Sequence, residues 1–104
     1  MKSNQHFYVI KNQNEDTYRI ECRLVVYRAK LKQHPDFLHP TGDAKDGFYT
    51  KYYLLIKDDI SSEQAADDSC DKLETDYRTI IETAEDTGDW SRFPFKNCQI
   101  VYYK

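Results

Sequence analysis

Glycine and proline are scarce in this chain, with three of each among 104 residues. Both residues mark turns and irregular backbone, so few long irregular segments are expected. Hydrophobic residues make up 39% of the chain and aromatic residues 14%, which is too rich a composition for a disordered protein. The length suits one hydrophobic core, and we predict a single domain over residues 1–104.

Long apolar runs are also missing. No segment approaches the ~18 apolar residues that a membrane-spanning helix needs. Polar residues follow Met1 where a secretory signal would have its apolar region. We therefore expect no membrane contact and a cytoplasmic location. Cys22, Cys70 and Cys98 are far apart and odd in number, which favours free thiols in a reducing compartment.

The sequence motifs of common catalytic sites are absent as well. There is no GxSxG, no P-loop, no HExxH and no glycine-rich dinucleotide fingerprint. We predict that the protein is not an enzyme, with no catalytic residues and no cofactor. The segment closest to a metal site lies in residues 32–47, but its spacing fits no familiar zinc or calcium site, so no metal is expected. Its candidate ligands are His34, Asp36, His39, Asp43 and Asp46.

A sustained helical pattern is found in residues 61–86. Apolar residues recur at spacings of three and four and predict one buried stripe. Ser61 and Gln64 predict a capping box at the start, and Gly88 predicts a left-handed C-cap. The buried stripe is predicted to contain Ala66, Cys70, Leu73, Tyr77, Ile80, Ile81 and Ala84. The opposite stripe is predicted to contain Asp67, Asp71, Glu74, Arg78, Glu82 and Glu85.

Alternating apolar and polar residues predict four strands, at residues 6–10, 18–27, 48–57 and 98–103. A loop of about 16 residues, 32–47, is predicted between the second and third strands and is longer than most connections. The element order is β-β-β-α-β. It predicts an α+β fold in which an antiparallel sheet of about four strands carries one long helix across one face. The order of the strands within the sheet stays open.

Negative charge is concentrated in the second part of the chain. Residues 1–60 hold ten Lys or Arg and eight Asp or Glu, whereas residues 61–104 hold five and ten. The leading hypothesis is a small non-enzymatic binding or inhibitor protein of the immunity or phage anti-defence type. It would occupy a basic protein partner, such as a nuclease or a toxin, through the acidic helix face. The predicted contact residues are Asp67, Asp71, Glu74, Glu82 and Glu85.

Two alternatives remain open. The sheet face away from the helix combines aromatic and basic residues, on which single-stranded nucleic acid can stack. The simpler interpretation of that face is ordinary strand packing with cations over tyrosine rings. The other alternative is a self-assembling structural module, in which the last strand pairs edge to edge in a homodimer. The residues of the nucleic-acid alternative are Arg19, Arg23, Tyr27, Tyr49, Lys51 and Tyr53.

Overall fold

The computed structural model describes residues 5–27 and 49–101. Within these ranges the sheet has four antiparallel strands in the order β1-β2-β3-β4, and the helix α1 lies between β3 and β4 in the chain. The predicted α+β class and element order are confirmed, and the open strand order is now known. The predicted 32–47 loop lies outside the described residues, with its candidate metal ligands. The elements are β1 (Phe7–Lys11), β2 (Tyr18–Tyr27), β3 (Tyr49–Ile60), α1 (Glu63–Thr87) and β4 (Ile100–Val101).

The core lies between one face of the sheet and the helix. Alternate residues of β2 are buried there, as the sequence predicts, and the register places Cys22 beside Leu54 of β3 and Phe7 of β1. The helix contributes small and apolar side chains to the same layer. The buried set includes Phe7, Ile20, Cys22, Leu24, Val26, Tyr52, Leu54, Ala66, Cys70, Ile81 and Ala84.

Aromatic side chains after the helix close one end of this core. Trp90 and Phe93 are buried, and their ring centroids lie 5.6 Å apart at a steep angle. Phe95 contacts Tyr77 of the helix at 4.9 Å and Phe7 of β1 at 6.0 Å between centroids, both edge to face. Such pairs add to the free energy of burial. The aromatic side chains of residues 90–95 therefore pack against both α1 and the sheet.

Strand β3 is longer than predicted. It continues through Asp58 and Asp59 to Ile60, three residues beyond the predicted end at residue 57. The β2–β3 register shifts twice between Tyr18 and Glu21, and Asp59 takes a positive φ of 54°. The extra residues of β3 are therefore absorbed as bulges, which allow the strand to bend and continue.

The start of the helix also differs from the prediction. The N-cap is Ser62, whose Oγ accepts a hydrogen bond from the Ala65 N–H at 3.3 Å. Gln64 donates to the Asp68 carboxylate instead of the cap, so the predicted capping box at Ser61 is wrong. Gly88 at φ 76° confirms the predicted C-cap. No helix in the described ranges is long and apolar enough to cross a membrane.

Candidate functional site

The acidic residues of α1 do not all face away from the sheet. A helix turns by about 100° per residue, so residues four apart differ by only about 40° around the axis. Glu74 follows the buried Cys70 by four residues, and Glu85 follows the buried Ile81 by four. The prediction that these two glutamates lie opposite the buried stripe is therefore wrong. Ile80, predicted to be buried, is 38% exposed, because the buried face is rotated towards the glutamates.

Glu74 binds the backbone at the start of β1. It is 7% exposed, its Oε1 accepts hydrogen bonds from the N–H groups of His6 and Phe7, and its Oε2 accepts one from Arg78. The Arg23 N–H donates to the His6 carbonyl, so the next residue, Phe7, directs its backbone groups away from β2. The Cys70 thiol donates to the Phe7 carbonyl at 3.2 Å. The helix thus satisfies both backbone groups of Phe7 at the sheet edge.

Glu85 makes the corresponding contact with β2. Its Oε2 accepts a hydrogen bond from the Val25 N–H at 2.7 Å, and its Oε1 accepts one from His6 Nε2 at 3.0 Å. His6 is 1% exposed, and its Nδ1 lies 4.0 Å from Glu74 Oε2. The imidazole therefore lies between two carboxylates of the helix. We call Glu74 and Glu85 the inward glutamates.

The Cys22 thiol lies close enough to these carboxylates to be affected by their charge. Burial raises the pKa of Cys22, and the carboxylates of Glu74 and Glu85 raise it further. Burial also raises the pKa of Cys98. A neutral thiol is a poor nucleophile, so the cluster holds the helix to the sheet and offers no activated cysteine. All three cysteines are free.

The other predicted contact residues remain accessible. Asp67 and Asp71 are exposed, and Glu82 is half-buried. Across residues 5–27 and 49–101, Glu82 has no hydrogen bond or ion pair. The structure therefore divides the five predicted residues into two that bind strand backbone, Glu74 and Glu85, and three that make no such contact among the described residues. Their role in partner binding stays a prediction.

A pocket of about 520 Å³ lies beside Glu82, between the C-terminal half of α1 and the end of β2. We call it the acidic pocket. Sequence periodicity did not indicate it, because His6 and Tyr27 come from strands far away in the sequence. The sequence signal for the helix side of the pocket is the spacing of Thr79, Glu82 and Asp86, which lie three and four residues apart and so share one side of α1. The pocket is lined by His6, Tyr27, Thr79, Glu82, Thr83, Glu85 and Asp86.

The sheet face away from the helix is only partly open. Glu21 is fully buried there, and its carboxylate lies 2.6 Å from Arg19 Nε, so the charge of Arg19 is balanced within the protein. Arg23 lies over the Tyr8 ring, 5.7 Å from its centroid. The β2–β3 register places Arg23 opposite Tyr53. These predicted nucleic-acid residues are thus engaged in contacts within the sheet.

The remaining residues of that alternative form an exposed cluster at one end of the sheet. Tyr27 pairs with Tyr49 across the strands, with ring centroids 6.1 Å apart. Tyr49 is 50% exposed, and Lys51 Nζ lies 5.7 Å from the centroid of its ring. We call Tyr27, Tyr49 and Lys51 the tyrosine cluster. Tyr27 also lines the acidic pocket, so the two features adjoin.

Metal binding and similarity to known proteins give no further assignment. Among residues 5–27 and 49–101, no group of three or more His, Cys, Asp or Glu side chains could hold a metal ion. The chain matches no model of a known protein family, no curated protein and no solved structure. The chemistry of the accessible acids and the pocket is therefore the basis for a function.

Proposed function

We propose that the protein is a non-enzymatic binding protein that docks a basic protein partner through one side of its helix. The proposed contact surface, here the acidic ridge, consists of Asp67, Asp71, Glu82 and Asp86. A protein of this kind acts by occupying the partner's surface, as inhibitors of the immunity or anti-defence type do, and a basic nuclease or toxin fits the charge.

The observation that carries this proposal is the separation of anchored and accessible acids on one helix. The helix holds nine acidic and two basic residues. Glu74 and Glu85 are used in holding β1 and β2, whereas Asp67 and Asp71 are exposed and Glu82 has no partner among the described residues. Complementary charge speeds the encounter with a basic surface and selects against acidic partners.

A charge reversal with a matched control tests the proposal. Asp71 lies on the ridge, and Asp76 lies on the back of the same helix; both are exposed. Asp71→Lys and Asp76→Lys make the same change in net charge. Each variant, checked for native circular dichroism, is used as bait for affinity capture from the host, followed by mass spectrometry.

We expect the wild type and Asp76→Lys to retain a protein with a basic surface, and Asp71→Lys to retain at least about fivefold less of it. Equal capture of that partner by both variants would overturn the acidic ridge as the contact surface.

The tyrosine cluster favours single-stranded nucleic-acid binding as a second candidate function. Stacking of a base on an aromatic ring contributes about 1–3 kcal/mol, and Lys51 can meet a phosphate. A gel shift at low salt with single-stranded DNA and RNA tests it, with Tyr49→Ala as the variant. A shift that is lost in Tyr49→Ala supports this function, and no shift at micromolar protein excludes it.

Self-assembly through the last strand stays a prediction. The described part of β4 pairs with β3 through Ile100 and Val101, and residues 102–104 lie outside the described residues. Light scattering at high concentration tests it, because a strict monomer would exclude edge-to-edge pairing.

A further inference from the structure

We infer that the acidic pocket binds an arginine side chain of the protein partner, with Glu82 as the principal carboxylate and Tyr27 as the aromatic wall. This inference rests on the proposed docking through the acidic ridge, and it names the chemical group that the ridge takes up.

The groups that lack partners in the pocket accept hydrogen bonds. Glu82 is a half-buried carboxylate with no donor among the described residues. His6 is 1% exposed, and its Nε2 is paired with Glu85. Its Nδ1 has no hydrogen-bond partner in the part of the chain that the structure describes and lies 4.0 Å from Glu74 Oε2, so a second carboxylate lies behind the imidazole. A ligand that complements these groups must be rich in donors.

The charge of the pocket requires a cation. Glu82, Glu85 and Asp86 line it, and each Glu85 oxygen already accepts one hydrogen bond from within the protein. Glu82 is therefore the carboxylate with the greatest remaining capacity. A charge-assisted hydrogen bond to a partly buried carboxylate is stronger than a neutral one.

Among protein cations, arginine fits this lining best. Its planar guanidinium has five donors and no acceptor, and it stacks on aromatic rings, whereas the lysine ammonium is a compact and strongly hydrated charge. Tyr27 is 39% exposed and borders the pocket, so a guanidinium bound beside Glu82 would lie next to an aromatic side chain. The volume of about 520 Å³ admits a long side chain. No metal-binding group was found among the described residues that would favour a metal ion instead.

Titration of the whole protein with short peptides tests the inference. Backbone amide shifts are followed by NMR while capped Gly-Arg-Gly is added. The comparison peptides are Gly-citrulline-Gly, a neutral isostere, and Gly-Lys-Gly, an equal charge without the planar fork. We expect saturable shifts at Tyr27, Thr79 and Thr83. The affinity for the arginine peptide should exceed that for either other peptide at least about fivefold.

Matched variants locate the site. Glu82→Gln removes the unpaired carboxylate without breaking a contact among the described residues, and Asp76→Asn removes the same charge from the back of the helix. We expect Glu82→Gln to weaken arginine-peptide binding about five- to tenfold, and Asp76→Asn to change it less than twofold. Spectra of the free variants report whether each keeps the native fold.

Three results would overturn the inference: no saturable shifts at the pocket, equal affinity for the arginine and citrulline peptides, or equal effects of the two variants. Tight binding of the lysine peptide would overturn the choice of arginine. The outcome is separable from that of the proposed docking. If the arginine peptide does not bind but Asp71→Lys no longer captures the partner, the acidic ridge is supported as the contact surface and arginine binding in the acidic pocket is overturned. If the arginine peptide binds but Asp71→Lys still captures the partner, docking through the acidic ridge is overturned.

Discussion

Two groups of acidic residues on α1 differ in what lies opposite them. Glu74 and Glu85 meet strand backbone, and their oxygens accept hydrogen bonds from the N–H groups of Phe7 and Val25. Asp67 and Asp71 carry the same charge on neighbouring turns and are exposed. The inward glutamates have side chains that reach the sheet, whereas Glu82, a side chain of the same length, has no hydrogen bond or ion pair among the described residues. Neither charge nor side-chain length alone therefore predicts which acids stay accessible; the position of each residue relative to the strands does.

Among the described residues, Glu74 accepts hydrogen bonds on the side of β1 where no strand pairs with it. Phe7 presents its backbone away from β2, and an unsatisfied backbone group at a sheet edge favours pairing with another chain. Glu74 and Cys70 together satisfy the N–H and the carbonyl of Phe7. Within the described residues, the helix thus covers the outer side of β1 with side chains, and two of its acidic residues stabilise the fold.

The largest effect is expected for Glu74→Ala. The substitution removes the acceptor of two backbone N–H groups and the partner of Arg78. Buried groups left without partners cost about 1–3 kcal/mol each, so we expect the free energy of unfolding to fall by about 2–4 kcal/mol. Urea denaturation followed by circular dichroism measures it. Glu74→Gln, which keeps an acceptor oxygen, is the control and should lose about half as much. A loss below about 1 kcal/mol in Glu74→Ala would contradict the anchoring role.

A smaller loss is expected for Glu85→Ala. One backbone N–H and the His6 Nε2 lose their acceptor, and Glu85 is less buried than Glu74. We expect about 1–2 kcal/mol in the same urea measurement. A double-mutant cycle with His6→Ala should show a coupling free energy of about 0.5–1.5 kcal/mol, because the two side chains share one hydrogen bond. Additive losses would show that the contact does not contribute to stability.

The buried Cys22 thiol makes the stability of the protein depend on pH. Burial first, and then Glu74 and Glu85, raise the pKa of Cys22 in the folded protein. A raised pKa gives stability that is present below the ordinary thiol pKa of about 8.5 and is lost as the pH rises above it. Between pH 9 and 10 the free energy of unfolding should therefore fall more steeply in the wild type than in Cys22→Ala, by up to about 1.4 kcal/mol per pH unit. Equal dependence of the unfolding free energy on pH in the two proteins would mean that Cys22 ionises as readily in the folded protein as in the unfolded chain.

The smallest effect on stability is expected for Asp71→Ala. The side chain is exposed and takes part in no ion pair with the described residues, so the free energy of unfolding should change by less than about 0.5 kcal/mol. Partner capture should nevertheless weaken, since Asp71 belongs to the acidic ridge. If Asp71→Ala destabilised the protein as much as Glu85→Ala, the distinction between the inward glutamates and the exposed aspartates would be wrong.

Much of the fold could be predicted from local pattern. The alternation of Ile20, Cys22 and Leu24 identified the buried face of β2, and the three-four spacing identified the helix. The same pattern wrongly predicts Glu74 and Glu85 on the stripe away from the sheet, because charged side chains are expected to face solvent. Their position four residues after Cys70 and Ile81 was the stronger geometric signal.

Tertiary contacts account for what local pattern missed. Glu21 is buried because Arg19, two residues away on the same face of the strand, balances its charge. Strand β3 continues past Asp58 because bulges absorb its extra residues and Asn12 of the first hairpin holds the Asp58 carboxylate. The acidic pocket depends on His6 and Tyr27, which approach the helix only after β1 and β2 have paired.

Amide hydrogen exchange tests the central division between the two groups of acids most directly. The N–H groups of Phe7 and Val25 have carboxylates as their acceptors, whereas the Arg23 N–H pairs with the His6 carbonyl. In the wild type, the Phe7 and Val25 amides should exchange at rates within about tenfold of that of the Arg23 amide. In Glu85→Ala, the exchange rate of the Val25 amide alone should rise. Exchange of Phe7 and Val25 at the rate of an unprotected amide in the wild type would contradict the central division.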